Sequence, residues 1–148
     1  MSYTNLMYHI VFSTKGRKPM ILPEDMPRIC QYIGGIIREM SGSMIAANGP
    51  ADHVHIAALA AAKTAVADFV RTVKTNSSRW IHKTLPGMSA FAWQDGYAAF
   101  SVSRSGMSRV VNYVRNQVAQ HAKMTFEEEL IALLSRHGIR YDERYLWA

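Results

Sequence analysis

The chain has 148 residues and a mass of 16.7 kDa, the size of one ordinary domain. A domain of this size can bury a hydrophobic core without the support of disulfides or metal ions. Hydrophobic residues make up 49% and charged residues 19%, which excludes a disordered tail or a coiled coil. Cys30 is the only cysteine, so an internal disulfide framework and a multi-cysteine zinc cluster are excluded. No apolar run reaches the roughly 18 residues of a membrane span, and the N-terminus does not resemble a signal peptide. We therefore expect one cytoplasmic domain over residues 1–148 with no membrane partner.

The positive charge is concentrated in the first four-fifths of the chain. Lysine and arginine total 17 against 11 acidic residues, which gives a net charge of +6 and a pI near 9.7. Residues 1–123 carry 14 basic and 6 acidic side chains, or +8, whereas residues 124–148 carry 3 and 5, or −2. Such a basic surface suits the phosphates of nucleic acid, but it is equally typical of a surface that only keeps a protein in solution.

Apolar patterns predict six elements before residue 104, in the order strand, helix, strand, strand, helix, strand. Their predicted bounds are Asn5–Thr14, Pro23 to about Met40, Ser43–Ala47, His53–Leu59, about Val66–Lys83 and Tyr97–Ser103. Proline and two acids mark the start of the first helix, and the Asn48-Gly49 pair predicts the hairpin turn. This order favours an α+β fold of the ferredoxin-like, split β-α-β type, with an antiparallel sheet and helices on one side.

Two C-terminal helices are predicted after the sheet. The first runs from Ser108 to about His121, with an apolar face formed by Val110, Val111, Val114 and Val118. The second spans roughly Phe126–His137. Thr125 and Glu128 form a capping box at its start, and Gly138 ends it.

A His-x-His pair lies on the third predicted strand. Because strand residues two apart point to the same face, the imidazoles of His53 and His55 project together. Two such rings can hold one divalent cation and leave positions open for other ligands. The motif is short, however, and surface or hydrogen-bonded histidines account for it equally well when it stands alone.

A second polar pair lies on the helix that follows the sheet. Tyr113 and Gln117 are four residues apart and therefore share one helix face. A tyrosine can attack a phosphodiester, and a glutamine carbonyl is an acceptable ligand for Mg²⁺ or Mn²⁺. A tyrosine at the edge of the core beside a surface glutamine is the plainer alternative. Together with the histidines, the pair predicts a cation site beside a nucleophile.

With these motifs in place, the chain resembles the single-tyrosine HUH transposases of small insertion sequences that move as single-stranded DNA, which include the REP-associated tyrosine transposases. The resemblance runs nearly end to end. The matching segments are Tyr8–Lys15, the His53/His55 pair, Lys74 with Ser77-Ser78, Trp93–Ser103, Tyr113–Gln117, Phe126–Glu129, and Gly138–Asp142 leading into Tyr145.

The resemblance implies a DNA transposase in which His53, His55 and Gln117 bind Mg²⁺ or Mn²⁺ and Tyr113 is the nucleophile. It implies cleavage of single-stranded DNA near a recognised hairpin, with a 5′-phosphotyrosine and a free 3′-hydroxyl as products. Strand transfer follows when such a hydroxyl attacks the phosphotyrosine. It also implies a homodimer, in which the tyrosine helix can serve the histidine pair of the partner subunit, in the nucleoid region of a bacterial or archaeal cytoplasm.

Basic and aromatic side chains extend this hypothesis to DNA contacts. The candidates for phosphate contact are Lys15, Arg17, Arg71, Lys74 and Arg79. Trp93, Tyr97 and Phe100 are either stacking surfaces for unpaired bases or core residues. Two other functions stay open: a domesticated hairpin-DNA-binding protein with reduced catalysis, and a rolling-circle-type nickase. The lack of a second tyrosine beside Tyr113 weighs against the nickase.

Overall fold

The computed structural model describes residues 2–121 and 123–146. Four antiparallel strands form one sheet in the order β2-β3-β1-β4: β1 (Met7–Ser13), β2 (Ser43–Asn48), β3 (His53–Leu59) and β4 (Ala98–Val102). The helices are α1 (Met26–Glu39), α2 (Val66–Thr84), α3 (Met107–Arg115), α4 (Gln117–His121) and α5 (Phe126–Arg136). Short 3-10 turns lie at Lys15–Arg17 and Arg104–Gly106. The predicted α+β fold, with a β-α-β-β-α-β order followed by C-terminal helices, is confirmed.

The sheet separates two layers of helices. Apolar side chains of the central strands β1 and β3 pack in one core with α1 and α2; these are Ile10, Phe12, Val54 and Ile56. Because successive strand residues point to opposite faces, His9, His53 and His55 lie on the other side. That side is covered by α3 and α5, whose apolar residues pack on the sheet. None of the described helices is both long and apolar enough to cross a membrane.

The β2–β3 hairpin turns at a position that only glycine can fill. A Cβ atom on Gly49 would lie 2.1 Å from the carbonyl oxygen of His53, well inside van der Waals contact. This close approach fixes the point where β3 begins. The strand therefore starts with His53, and the alternation from there places both imidazoles on the same face.

The last helix has the predicted signals at both ends. The Thr125 hydroxyl accepts a hydrogen bond from the Glu128 N–H, and the Glu128 carboxylate accepts one from the Thr125 N–H. Gly138 adopts a φ of 66° just after the C-terminus, where the chain leaves the helix. The capped helix is held against the sheet by Phe126 and Leu130, which pack with residues of β1 and β4.

The prediction of a single helix from Ser108 to His121 is wrong in one respect, because the helix breaks at Asn116 into α3 and α4. The backbone there leaves the helical region (φ −96°, ψ 21°), and the Asn48 side-chain amide donates to the carbonyl of Arg115, 2.9 Å away. The break changes which residues face the core. Gln117 is fully buried, whereas Val118, expected on the apolar face, is 69% exposed.

We expect Thr125→Ala to lower the free energy of unfolding by about 1 kcal/mol, because it removes the N-terminal cap of α5. Urea denaturation followed by circular dichroism measures this change. Ser135→Ala, an exposed substitution in the same helix, is the matched control and should change stability by less than about 0.5 kcal/mol. Equal effects of the two substitutions would mean that the capping box does not stabilise α5.

Candidate active site

Two imidazoles and one carboxylate meet in the interior between β3 and α5. His53 and His55 are fully buried, and the Nε2 atoms of both face the same oxygen, Oε1 of Glu129, at 3.1 and 2.9 Å. Glu129 itself is 1% exposed. A buried carboxylate is costly unless it is paired and hydrogen-bonded, so the two imidazoles account for its position.

Sequence reasoning did not identify Glu129 as a site residue. It is the last of three consecutive glutamates at the start of α5, and the run as a whole is typical of a helix N-terminus. The periodicity contains a usable signal, however. Glu129 follows Phe126 by three residues and precedes Leu133 by four, so it lies on the apolar face of the helix. A carboxylate at such a position indicates a buried polar site.

Further side chains orient the two imidazoles. Nδ1 of His53 donates to the carboxylate of Asp52 at 2.7 Å, and Nδ1 of His55 lies 2.8 Å from Nε2 of His9. Burial opposes the charged form of His53, but its hydrogen bonds to Asp52 and Glu129 raise its pKa above the ordinary value. Burial and the nearby His55 lower the pKa of His9 to about 3, so this imidazole is neutral. Such outer partners fix ring orientation and tautomer.

Tyr113 lies against the other oxygen of the same carboxylate. Its hydroxyl donates a hydrogen bond to Oε2 of Glu129. The phenol ring also packs edge-on against His55 and His9, with centroid distances of 5.6 and 5.9 Å. Burial and the adjacent Glu129 raise the pKa of the phenol. One carboxylate of this chain therefore joins the hydroxyl of Tyr113 to both imidazoles.

Gln117, the third predicted ligand, lies beside Tyr113. Its Nε2 donates to the carbonyl oxygen of Tyr113 at 3.3 Å. Its Oε1 is buried and has no hydrogen-bond partner among the described residues. A buried amide oxygen without a partner costs free energy, so this atom is available to a ligand. Both imidazoles contact the carboxylate of Glu129.

The group has the chemistry of a divalent-cation site. The nearest ligand atoms of His53, His55 and Glu129 all lie within 4.8 Å of one another. Two imidazole nitrogens with a carboxylate oxygen form a mixed donor set, which suits Mn²⁺ better than Mg²⁺, an ion that prefers oxygen ligands. The unpaired oxygen of Gln117 adds a further donor. The residues present therefore fit a divalent metal ion.

Two of the predicted DNA-contacting residues line a depression on α2. Arg71 and Lys74 border a cavity of about 480 Å³ with the exposed ring of Tyr97. Arg71 pairs with Asp68, and the Lys74 ammonium donates to the carbonyls of residues 95 and 96 at 2.9 and 3.0 Å. Burial lowers the pKa of Lys74. Lys74 thus holds the loop before β4 in addition to any contact with DNA.

The other three predicted DNA contacts do not line this cavity. Arg17 pairs with Glu127 at 2.5 Å and so ties the turn after β1 to α5. Lys15 and Arg79 are exposed. Of the aromatic candidates for base stacking, Trp93 and Phe100 are buried and belong to the core. The rings of Trp93 and Phe100 therefore serve core packing. Of the three aromatic candidates, only Tyr97 is exposed.

The sequence was compared with protein families and with known proteins, and both comparisons found transposases. A family profile described as "Transposase IS200 like" matches residues 2–117. The ISDra2 transposase TnpA of Deinococcus radiodurans is 23% identical over 117 residues, which cover 76% of this chain and 84% of that protein.

Two solved structures share the fold. A candidate transposase from Deinococcus radiodurans superimposes with a TM-score of 0.65 at 22% identity, covering 78% of this chain and 93% of that chain. A REP-associated tyrosine transposase, solved bound to a REP hairpin, gives a TM-score of 0.62 at 12% identity. That match covers 84% of this chain and 73% of the other.

We expect Glu129→Gln to weaken Mn²⁺ binding by about tenfold or more, because the substitution removes the charged oxygen that faces both imidazoles. Isothermal titration calorimetry with Mn²⁺ alone measures the affinity. Glu127→Gln makes the same chemical change two residues earlier, at a carboxylate that pairs with Arg17, and should leave Mn²⁺ affinity unchanged. Wild-type affinity in the Glu129 variant would exclude it as a ligand.

Proposed function

Because the chain belongs to the IS200-like transposase family, we propose that it is a metal-dependent endonuclease and strand transferase for single-stranded DNA with hairpin ends. One observation carries this proposal. Glu129 contacts the hydroxyl of Tyr113 with one carboxylate oxygen and both imidazoles of the His53/His55 pair with the other. A nucleophile, a proton acceptor and a cation-binding group are thus adjacent.

Tyr113 is the nucleophile in this proposal, and Glu129 accepts its proton. The phenolic oxygen attacks the phosphorus while its proton moves to Oε2 of Glu129, the atom to which the hydroxyl already donates. A bond forms between phosphorus and the tyrosine oxygen, and the bond from phosphorus to the 3′-oxygen breaks. The 3′-oxygen leaves with a proton from water, and the 5′-phosphate stays on the protein.

Strand transfer reverses the same steps with another strand. A 3′-hydroxyl attacks the phosphotyrosine, its proton goes to solvent, and Tyr113 leaves and recovers its proton from Glu129. Since one phosphodiester is exchanged for another through the protein-bound ester, no external energy source is required. Burial of the carboxylate between two imidazoles keeps it in place through both steps.

We assign the cation to His53, His55 and Glu129, with Gln117 as a further oxygen donor. A divalent cation held there, Mn²⁺ or Mg²⁺, would polarise a phosphoryl oxygen and stabilise the charge of the transition state. Asp52 and His9 hold the imidazoles so that their Nε2 atoms point to the same place. These two outer residues therefore position the ligands.

The proposed partner is hairpin DNA. The basic balance of residues 1–123 supports a nucleic acid partner, and one relative of the same fold was solved with a REP hairpin. Arg71, Lys74 and Tyr97 offer a combination of charge and an exposed ring on one surface. Lys15, Arg17 and Arg79 are further phosphate contacts in this proposal. One chain supplies both tyrosine and histidines, so a homodimer would contain two complete sites.

We expect the wild-type protein with Mn²⁺ to form a covalent adduct with single-stranded hairpin oligonucleotides taken from the DNA that flanks its own gene. Tyr113→Phe should abolish the adduct and leave hairpin affinity within about twofold, because only the attacking oxygen is lost. Denaturing gel electrophoresis of labelled DNA detects the adduct, and fluorescence anisotropy measures affinity. Tyr97→Phe, which also removes one phenolic oxygen, is the matched control and should retain the adduct.

The outcomes separate the candidate functions. An adduct that persists in Tyr113→Phe would show that another residue is the nucleophile. Tight hairpin binding by the wild-type protein, with no adduct at any Mn²⁺ or Mg²⁺ concentration, would instead identify a DNA-binding protein without catalysis.

A further inference from the structure

A cavity of about 240 Å³ lies next to Tyr113, on the side away from the β2–β3 hairpin. It is bounded by α3, by the C-terminal half of α5 and by the end of β4 with the turn that follows. Tyr113 and His9 form its inner end, so it is continuous with the proposed active site. None of the side chains proposed above as phosphate or base-stacking contacts lines this cavity.

The ionisable groups around the cavity are all basic or neutral. Arg109, Arg136 and His137 line it, and none of the described carboxylates does. Both arginines are exposed, and neither forms an ion pair with any residue that the structure describes. In contrast, Arg17 and Arg71 each pair with an acid. The cavity therefore presents two positive charges that form no ion pair within the described part of the chain.

Rigid elements set the position of these charges relative to the nucleophile. Arg109 precedes Tyr113 by four residues on α3, so both lie on the same helix face. Arg136 follows Glu129 by seven residues on α5 and lies two turns along the same face. The ring of His137 stacks on Phe100 at 4.3 Å, which holds the end of α5 against β4. Apolar Val110 and Leu133 also line the cavity.

We propose that this cavity binds a phosphodiester of the single-stranded DNA next to the one attacked by Tyr113, with Arg109 and Arg136 as its ligands. The proposal rests on the proposed function, since it assigns a further part of that substrate. Arginine is suited to this task because its guanidinium donates two parallel hydrogen bonds to a phosphate. Holding the neighbouring phosphate determines which phosphodiester reaches the tyrosine, so these arginines are positioning residues.

The test measures DNA binding separately from cleavage. All variants are made in the Tyr113→Phe background, and binding of single-stranded (dT)12 is measured by fluorescence anisotropy over a range of NaCl concentrations. We expect Arg109→Gln with Arg136→Gln to weaken binding about tenfold or more. The slope of log affinity against log salt should fall in magnitude by about 0.7, the value for one phosphate on a single strand.

The control is Arg38→Gln, an exposed arginine of α1 on the opposite side of the sheet. It loses one charge of the same kind and should change affinity by less than twofold with no change in slope. If the double variant is no weaker than this control, the cavity does not bind DNA phosphate. Circular dichroism melting shows whether each variant is folded, and Arg109→Lys with Arg136→Lys, which keeps the charges, should recover part of the affinity.

Two further results separate this proposal from its alternatives. Titration with inorganic phosphate alone should show no saturable binding; saturable binding that the double variant loses would assign the cavity to a free anion and overturn the proposal. Adduct formation by the protein with Tyr113 intact tests the proposed function independently. If no adduct forms but the double variant still loses affinity for (dT)12 as expected, the nuclease function is rejected and the phosphate site is retained.

Discussion

The burial of one carboxylate is the constraint on which the site depends. Glu129 lies in the interior, where an unpaired charge would cost several kcal/mol, and it is offset by His53, His55 and the hydroxyl of Tyr113. These contacts bring together β3, α3 and α5, which are distant in the chain. The residues that stabilise the buried charge are the same residues to which we assign the chemistry, so structure and function share one set of contacts.

The sheet and the C-terminal helices contribute different parts of this arrangement. The sheet aligns the imidazoles, because strand alternation places His53 and His55 on the same face of the sheet. The tight turn at Gly49 sets the residue at which β3 begins. The helices contribute the hydroxyl of Tyr113 and the carboxylate of Glu129. The capping box at Thr125 fixes where α5 begins and hence where Glu129 points. The break at Asn116 then turns Gln117 inward beside the tyrosine. Precise placement by rigid elements is what positioning in catalysis requires.

Local patterns predicted most of the fold, and they marked His53, His55, Tyr113 and Gln117 as candidate site residues. Strand alternation, the Asn48-Gly49 turn and the capping box are signals within a few residues, and the structure agrees with each. Contacts between distant segments were not predictable in this way. Glu129, the last of three consecutive glutamates, and His9 on β1 acquire their partners only when the sheet and α5 pack together. The apolar periodicity does not indicate the helix break, where Asn48 of β2 contacts the carbonyl of Arg115.

The most direct measurement of the central claim asks whether Tyr113 acts with the histidines of its own chain. A Tyr113→Phe protein, which keeps the histidines, is mixed with a His53→Ala/His55→Ala protein, which keeps the tyrosine, and incubated with Mn²⁺ and hairpin DNA. Since the hydroxyl and both imidazoles contact one carboxylate within a chain, we predict no covalent adduct above that of either protein alone. An adduct on the histidine-deficient chain would contradict this and show that the site forms between subunits.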